Sequence, residues 1–285
     1  MTILVTGASG FIGTHFTSYL TSHGLDFYPL SSSDLDLTNE NLVKDFLHNN
    51  NFSAVIHLAS VGLRHSQALS SQVNDLNVVM AENLLKFIHP DLPILFAGSM
   101  SEYGFPGIHK ESDHCQPRTE YGKSKLRITN LSIAYSHERN LNSKIARIYG
   151  VYGQNEHPER LFPSLITSFL TRSPIALSDC MQYRDFVYVK DLAPILLALI
   201  SPDHQTYDNI INVGTGHPIC VKDIVVSLAQ EFGASSDCLR FGSRSRSPGD
   251  EDLLCADVSL LSSIDPSLVP PQRLVSSQPL SSLFL

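Results

Sequence analysis

The chain has 285 residues, of which 42% are hydrophobic and 17% charged, with a formal net charge of −8 at neutral pH. That length supports one large or two small domains with a substantial core, and the ordinary apolar content excludes a disordered chain. The acidic balance excludes non-specific nucleic-acid binding, so an anionic ligand must be held by a few particular arginines or by backbone N–H groups.

The longest apolar stretch, residues 193–200, is about half of what spans a bilayer, so no membrane partner is expected. The chain starts directly in a predicted strand without a basic leader, which makes the cytoplasm the expected compartment. Five scattered cysteines without a C-x-x-C spacing read as free thiols. Twelve histidines without an H-x-H or H-x-x-x-H pair argue against a metal site.

Residues 3–5 predict a short buried strand. A three-glycine turn follows at Gly7, Gly10 and Gly13, then a helix over 13–23. Gly7 permits the tight turn, Gly10 lets a pyrophosphate approach the backbone, and Gly13 lets the helix pack closely on the sheet. The helix N-terminus offers N–H groups and a positive dipole end to the phosphates. The spacing is G-x-x-G-x-x-G rather than G-x-G-x-x-G.

A second strand is predicted over 27–30 and a helix over 39–48, capped by Thr38 or Asn39. A buried strand over 54–58 precedes a helix over 74–88. A strand over 94–97, a helix over 121–140 and a strand over 143–147 complete the first half. Short apolar strands alternating with helices predict an α/β fold with a doubly wound parallel sheet covered on both faces.

After Gly153 the rhythm breaks. A polar loop over 153–158 leads to a helix over 161–170, a strand over 186–189, a helix over 191–200 and a last sheet strand over 210–213. Beyond Gly214 there remain loops, an amphipathic helix over 221–232, and a Pro/Ser-rich tail from 265 whose order the sequence leaves open. The expected division is a nucleotide-binding sheet domain over 1–153 plus about 183–213, and a smaller lobe over 154–182 and 214–285. The lobe should lie over the carboxyl edge of the sheet, where open α/β sheets bind ligands.

Two further signals carry chemistry. Tyr121 and Lys125 stand four residues apart at the start of a helix, so both project from one face. A phenol acts as a base near neutral pH only where nearby cations favour its phenolate, and a lysine one turn on supplies such a charge. Ser99, at the end of the strand 94–97, can hydrogen-bond a substrate oxygen beside that pair, although Gly98-Ser99 is also ordinary turn chemistry.

Taken together, T-G-A-S-G-F-I-G, S-x-x-x-Y-G and Y-x-x-x-K resemble the extended short-chain dehydrogenase/reductases. More narrowly they resemble the NAD-dependent epimerase/dehydratase family that acts on nucleotide sugars. Residues 147–153 (R-I-Y-G-V-Y-G), 183–193 (Y-R-D-F-V-Y-V-K-D-L-A) and 212–216 (N-V-G-T-G) are similar to further family motifs, and the resemblance covers Met1 to about Val258.

The resemblance implies a Rossmann-like sheet, a bound NAD or NADP, a nucleotide-sugar substrate and a homodimer. It implies that Ser99, Tyr121 and Lys125 are catalytic. Gly7, Gly10, Phe11, Ile12 and Gly13 would line the pyrophosphate, with Ser31, Asp36 and Leu37 at the adenosine. Leu58, Ala59 and Asn77 would lie along the cofactor, joined by Tyr121, Lys125 and Tyr149 at the nicotinamide side. Arg184 would reach the diphosphate of the substrate, Arg160 and Leu161 its nucleotide pocket, and Arg246 or Arg244 a phosphate.

Several positions depart from the family pattern. The second strand usually ends in an acidic residue, whereas here Leu30 is followed by three serines, 31–33. With no carboxylate there, NADPH is expected to serve at least as well as NADH, although no arginine adjoins to complete the signal. The dehydratases carry Thr-Asp-Glu where this chain has Ser99-Met100-Ser101. The acid and base for water elimination are therefore missing, and 4,6-dehydration is not expected. Gly150 replaces a family asparagine. The late R-x-G-D becomes R-S-P-G-D over 246–250, one residue longer.

The expected activity is hydride transfer at C4 of a nucleotide-bound hexose. Reduction of a 4-keto-6-deoxyhexose is favoured by the short chain, by G-S-M-S-E-Y-G and by S-D-L-D-L-T. The alternative is 4-epimerisation with a retained cofactor. A non-catalytic cofactor-binding regulator is a third reading, opposed by the intact Tyr121–Lys125 pair.

Overall fold

The computed structural model describes residues 2–61, 70–202, 209–247, 249–275 and 279–284. Pro248 of the late motif lies outside them. Six parallel strands form the central sheet: β1 (Ile3–Thr6), β2 (Phe27–Leu30), β3 (Ala54–His57), β4 (Ile94–Ser99), β6 (Ser143–Ile148) and β11 (Ile210–Val213). Their spatial order is β11-β6-β4-β3-β1-β2, so the direction of winding reverses around β1. Ligand crevices of doubly wound sheets open at such a reversal, outside the carboxyl ends of the strands.

Side chains alternate across this sheet. Ile3, Val5, Ile56 and Leu95 join one core, while Leu4, Val55, Ile94, Phe96 and Ile145 join the other. The register Leu4↔Val55 and Val5↔Ile56 keeps the two sets on opposite faces. The first face is covered by α1 (Phe11–Ser22) and α6 (Val189–Ile200). The second is covered by α2 (Glu40–Asn49), α3 (Ser71–Phe87) and α4 (Glu120–Arg139). Pro29 stands in β2, an edge strand, where a missing N–H disrupts no central ladder.

Side-chain caps set the helix starts. Asn39 accepts Leu42 N–H at 3.2 Å to open α2. Thr119 accepts Gly122 N–H at 3.0 Å to open α4. α3 begins three residues before the expected Asn74, because Ser70 caps it by accepting Val73 N–H.

The smaller lobe contains β5 (Gly107–His109), β9 (Tyr183–Arg184), β12 (Ile219–Cys220) and β14 (Leu253–Ala256) in one sheet, ordered β12-β9-β14-β5. The pairs β7 (Gly150–Tyr152) with β10 (Phe186–Tyr188), and β8 (Ile175–Ala176) with β13 (Leu239–Arg240), complete its strands. All but β10 escape sequence reading, since two to four residues show too few alternations to reveal a period.

Several segments fall on the other side of the expected domain division. Residues 107–109, 150–152, 183–184 and 186–188 form strands of the lobe. Conversely α8 (Ser259–Ile264) returns to the large sheet, where Leu261 and Leu268 join its core. Asp185, fully buried, ties the turn after β11 to the end of β14. Its carboxylate accepts Thr215 N–H (2.9 Å), Thr215 Oγ1–H (2.6 Å), Gly216 N–H (3.0 Å) and Ala256 N–H (3.2 Å).

The tail is packed against the lobe over its described end, 279–284. Leu280 and Leu283 are buried in the lobe core with α5 (Leu161–Thr171) and α7 (Val221–Glu231), and the Phe284 ring stacks 5.0 Å from Phe162. Glu231 accepts Leu280 N–H at 2.7 Å and Ser281 N–H at 2.8 Å. Apolar side chains spaced through a Ser-rich segment thus find a partner surface that local composition does not reveal.

Candidate active site

The glycine turn forms a cradle at the carboxyl end of β1. Gly7 has φ +68°, and a Cβ there would lie 2.5 Å from Ala59 N. A Cβ at Gly13 would lie 2.1 Å from Gly7 O and 2.8 Å from Ala8 Cα, so its smallness serves the turn itself rather than the sheet. Gly10 is the N-cap of α1 and brings no side chain to it, which leaves the first-turn N–H groups of Phe11, Ile12 and Gly13 without a side-chain cap. This end of α1 suits a pyrophosphate in shape and in polarity.

Leu58 and Ala59 leave β3 beside that turn, and Ala59 N–H donates to Thr6 Oγ1 at 3.3 Å. Asn77 on α3 is buried and holds the same loop, accepting Val61 N–H at 2.8 Å and donating to Val61 O at 3.1 Å. Leu37 is buried and its carbonyl accepts Asn83 Nδ2–H at 3.0 Å. Asp36 is exposed. Its carboxyl lies below the usual range because Thr38 donates to it from both Oγ1 and N.

The end of β2 requires a correction. A carboxylate does stand there: Ser31 donates to Asp34 Oδ2 from N (2.9 Å) and from Oγ (2.6 Å). These bonds, the side-chain one first, hold the exposed Asp34 carboxyl below its usual range. Its charge disfavours a 2′-phosphate beside Ser31. Asp34→Asn is therefore expected to raise the NADPH-over-NADH preference about five- to ten-fold, measured as the ratio of their dissociation constants. An unchanged ratio would place the adenosine ribose elsewhere.

At the carboxyl edge of the sheet β4 delivers Ser99, and the first two turns of α4 deliver Tyr121 and Lys125. Lys125 is buried, donates to Ala97 O at 2.8 Å and stands 5.6 Å from the Tyr121 ring centroid. Tyr121 is half-buried. A Cβ at Gly122 would lie 2.4 Å from Ser101 O, so the helix start packs directly on the turn after Ser99. Ser99 Oγ accepts Ser101 N–H at 3.2 Å, which leaves its own proton to donate. His57 pairs with Thr6 Oγ1 at 2.8 Å, and burial first, then the Lys125 charge, pushes its imidazole down to about 3. A neutral His57 adds no charge to the site.

The residues expected at the nicotinamide and at the substrate are less uniformly placed. Tyr149 is buried with Tyr103 and Ala256, and its hydroxyl has no hydrogen-bond partner among the described residues. Arg160, exposed at the N-cap of α5, stands 3.5 Å from Glu156, and Leu161 follows as the first helical residue. Arg184 is buried and donates to Tyr183 O and to Asp250. A diphosphate there must share its guanidinium with a carboxylate. Arg246 is held by Asp179 and Asp252. Together with Arg244 and Asp179 it lines an open hollow of about 450 Å³.

Glu156, in the loop before α5, is an unexpected feature. Its Oε2 has no partner among the described residues, and burial raises its carboxyl from an ordinary 4.5 to about 7 against the opposing Arg160 charge. Rising pH ionises this group in the unfolded chain first, so folding stability falls between about pH 4.5 and 7 and then levels. Glu156→Gln removes that fall. At pH 8 the variant is expected to be more stable than the parent by up to about 3 kcal/mol, read from denaturant melts across pH. Parallel pH profiles for the two proteins would refute the assignment.

Sequence reading missed the group beneath Ser99. Glu102 is fully buried. It accepts Ser99 N–H at Oε1 (2.9 Å), and Thr129 Oγ1–H (2.8 Å) and Arg147 Nε–H (2.9 Å) at Oε2. The signal was present: Ser99-x-x-Glu102 is a capping box, and both of its bonds form. Among the described residues no group of three or more His, Cys, Asp or Glu side chains gathers to hold a metal ion, and no helix is long and apolar enough to cross a membrane.

The family model of the NAD dependent epimerase/dehydratase family matches residues 3–214. The chain belongs to that family. Within it, an uncharacterized UDP-glucose epimerase of Bacillus subtilis is 28% identical over 91% of this chain and 90% of its own length. A UDP-glucuronate 4-epimerase of Thermodesulfobacterium geofontis is 28% identical over 81% and 80%. Among solved structures, the UDP-glucuronic acid 4-epimerase of Bacillus cereus, in complex with UDP-glucuronic acid and NAD, superposes with a TM-score of 0.82 and 25% identity over 96% of this chain and 95% of that one. As a family member the chain is an NAD(P)-dependent enzyme of the extended short-chain dehydrogenase/reductase type.

Proposed function

We propose that this enzyme transfers hydride at C4 of a nucleotide-bound hexose, and that its net reaction is reduction of a 4-keto-6-deoxyhexose nucleotide. The observation that carries the reading is the convergence of β4, which ends at Ser99, with the start of α4, which carries Tyr121 and Lys125, at the carboxyl edge of the sheet that also holds the glycine cradle. NAD, or less readily NADP, would lie from the cradle of Gly7, Gly10, Phe11, Ile12 and Gly13 past Leu58 and Ala59 toward Ser99, Tyr121 and Lys125. The nicotinamide, when bound, supplies the hydride donor or acceptor. Tyr121 Oη moves the proton at O4. Lys125 adds positive charge beside the phenol and anchors α4 to Ala97 O. Ser99 Oγ donates to O4 and holds it in line. Met100 and Ser101 bring neither acid nor base for elimination, which argues against dehydration.

A second reading, 4-epimerisation with a retained NAD, is favoured by the names of the two relatives and by Asp34 at the end of β2. The test separates them. Purified protein is given NADH and a 4-keto-6-deoxy nucleotide hexose and, separately, UDP-glucose alone. Stoichiometric NADH consumption is expected in the first. Conversion of UDP-glucose to UDP-galactose without added nicotinamide would replace reduction by epimerisation. Assembly as a homodimer is proposed with this function. Leu76 and Val79 stand exposed on α3 as an apolar contact for a second copy, and sedimentation at the 31.4 kDa of a single chain would remove it.

A further inference from the structure

Ser99 and Tyr121 reach the reacting oxygen from different elements, β4 and α4, so something must hold the two in register. Lys125 Nζ on Ala97 O is one tie. The second runs through a carboxylate that touches neither substrate nor cofactor. Glu102 Oε1 binds the backbone of Ser99 itself, and Oε2 binds Thr129, which follows Tyr121 and Lys125 at the same four-residue spacing along one face of α4. Arg147 on β6 neutralises the carboxylate from below. The backbone leaves room for it, since a Cβ at Gly98 would lie 2.8 Å from Glu102 Oε1.

We propose that Glu102 is a positioning residue that clamps the Ser99 turn to the face of α4 carrying Tyr121 and Lys125. The clamp rests on the functional reading above for its consequence in catalysis, though not for its existence. Removing Glu102 would leave Arg147 buried and unpaired, so the cleaner probe is its other end. Thr129 is 1% exposed, and its hydroxyl donates to Glu102 Oε2. Thr129→Val keeps the shape and deletes the hydroxyl, while Thr129→Ser keeps the hydroxyl.

Amide hydrogen exchange on the unliganded protein reads the clamp directly. The N–H groups of Ser99 and Ser101 are expected to exchange about ten-fold faster in Thr129→Val, as local opening becomes easier, with β1 amides unchanged and wild-type rates in Thr129→Ser. In turnover with NADH and a 4-keto-6-deoxy nucleotide hexose, kcat is expected to fall about ten-fold in Thr129→Val with KM and the NADH dissociation constant within about two-fold, and Thr129→Ser is expected to restore it. Unchanged exchange at Ser99 and Ser101 in Thr129→Val, or a serine variant as impaired as the valine, overturns the proposal. A wild type inactive on every nucleotide sugar offered would refute the reaction class instead, and the exchange result would still decide the clamp.

Discussion

Tyr121→Phe is expected to fold, to bind NADH with unchanged affinity and to lose turnover by about a thousand-fold, since only the proton-transferring oxygen is removed. The substitution is well suited to this outcome. Tyr121 is half-buried in the first turn of α4, its ring faces the Lys125 ammonium, and the helix is held by the Thr119 cap and the Lys125–Ala97 bond rather than by the phenol. With the pyrophosphate proposed at the glycine cradle, most of the NADH contact would lie away from the phenol. NADH titration alongside steady-state turnover is the measurement. A phenylalanine variant that retains a tenth or more of the parental kcat would show that Tyr121 is not the proton carrier.

Arg147→Met should produce the largest loss of stability. Arg147 is 2% exposed, donates Nε–H to Glu102 and places its guanidinium carbon 4.8 Å from the Tyr103 ring centroid. Methionine fills much of the space but leaves a fully buried carboxylate without its cation, a change that costs about 3–5 kcal/mol. In a chain of this size that corresponds to a melting temperature lowered by roughly 5–8 °C. The double variant Glu102→Gln with Arg147→Met removes both charges and should melt nearer the parent. Thermal melts of the three proteins decide it. A single variant that melts with the parent would mean that water or another cation reaches Glu102.

Much of the fold was legible because its signals are local. The strands at 27–30 and 210–213, the cap at Asn39 and the glycine turn each depend on residues a few positions apart. Misreadings arose where a contact was local but of an unconsidered kind. Asp34 lies three residues from Ser31 and supplies the acidic group that appeared to be missing from β2. Glu102 lies three residues from Ser99 and completes a capping box within a motif read only for its family resemblance.

The sequence by itself determined the sheet rhythm, the glycine turn and the Tyr121–Lys125 face, because periods of two and near four and the steric freedom of glycine act over one turn or one strand. Only the tertiary structure decided how the charged and polar groups are paired. Arg184 reads as a diphosphate ligand in its motif yet meets Asp250, 66 positions away. Arg147 meets Glu102 across 45, and Asp185 reaches Ala256 across 71. A buried charge must find a partner wherever the folded chain supplies one. Which strands and loops become neighbours is settled by the packing of the whole sheet and lobe, not by any window of sequence around the charge.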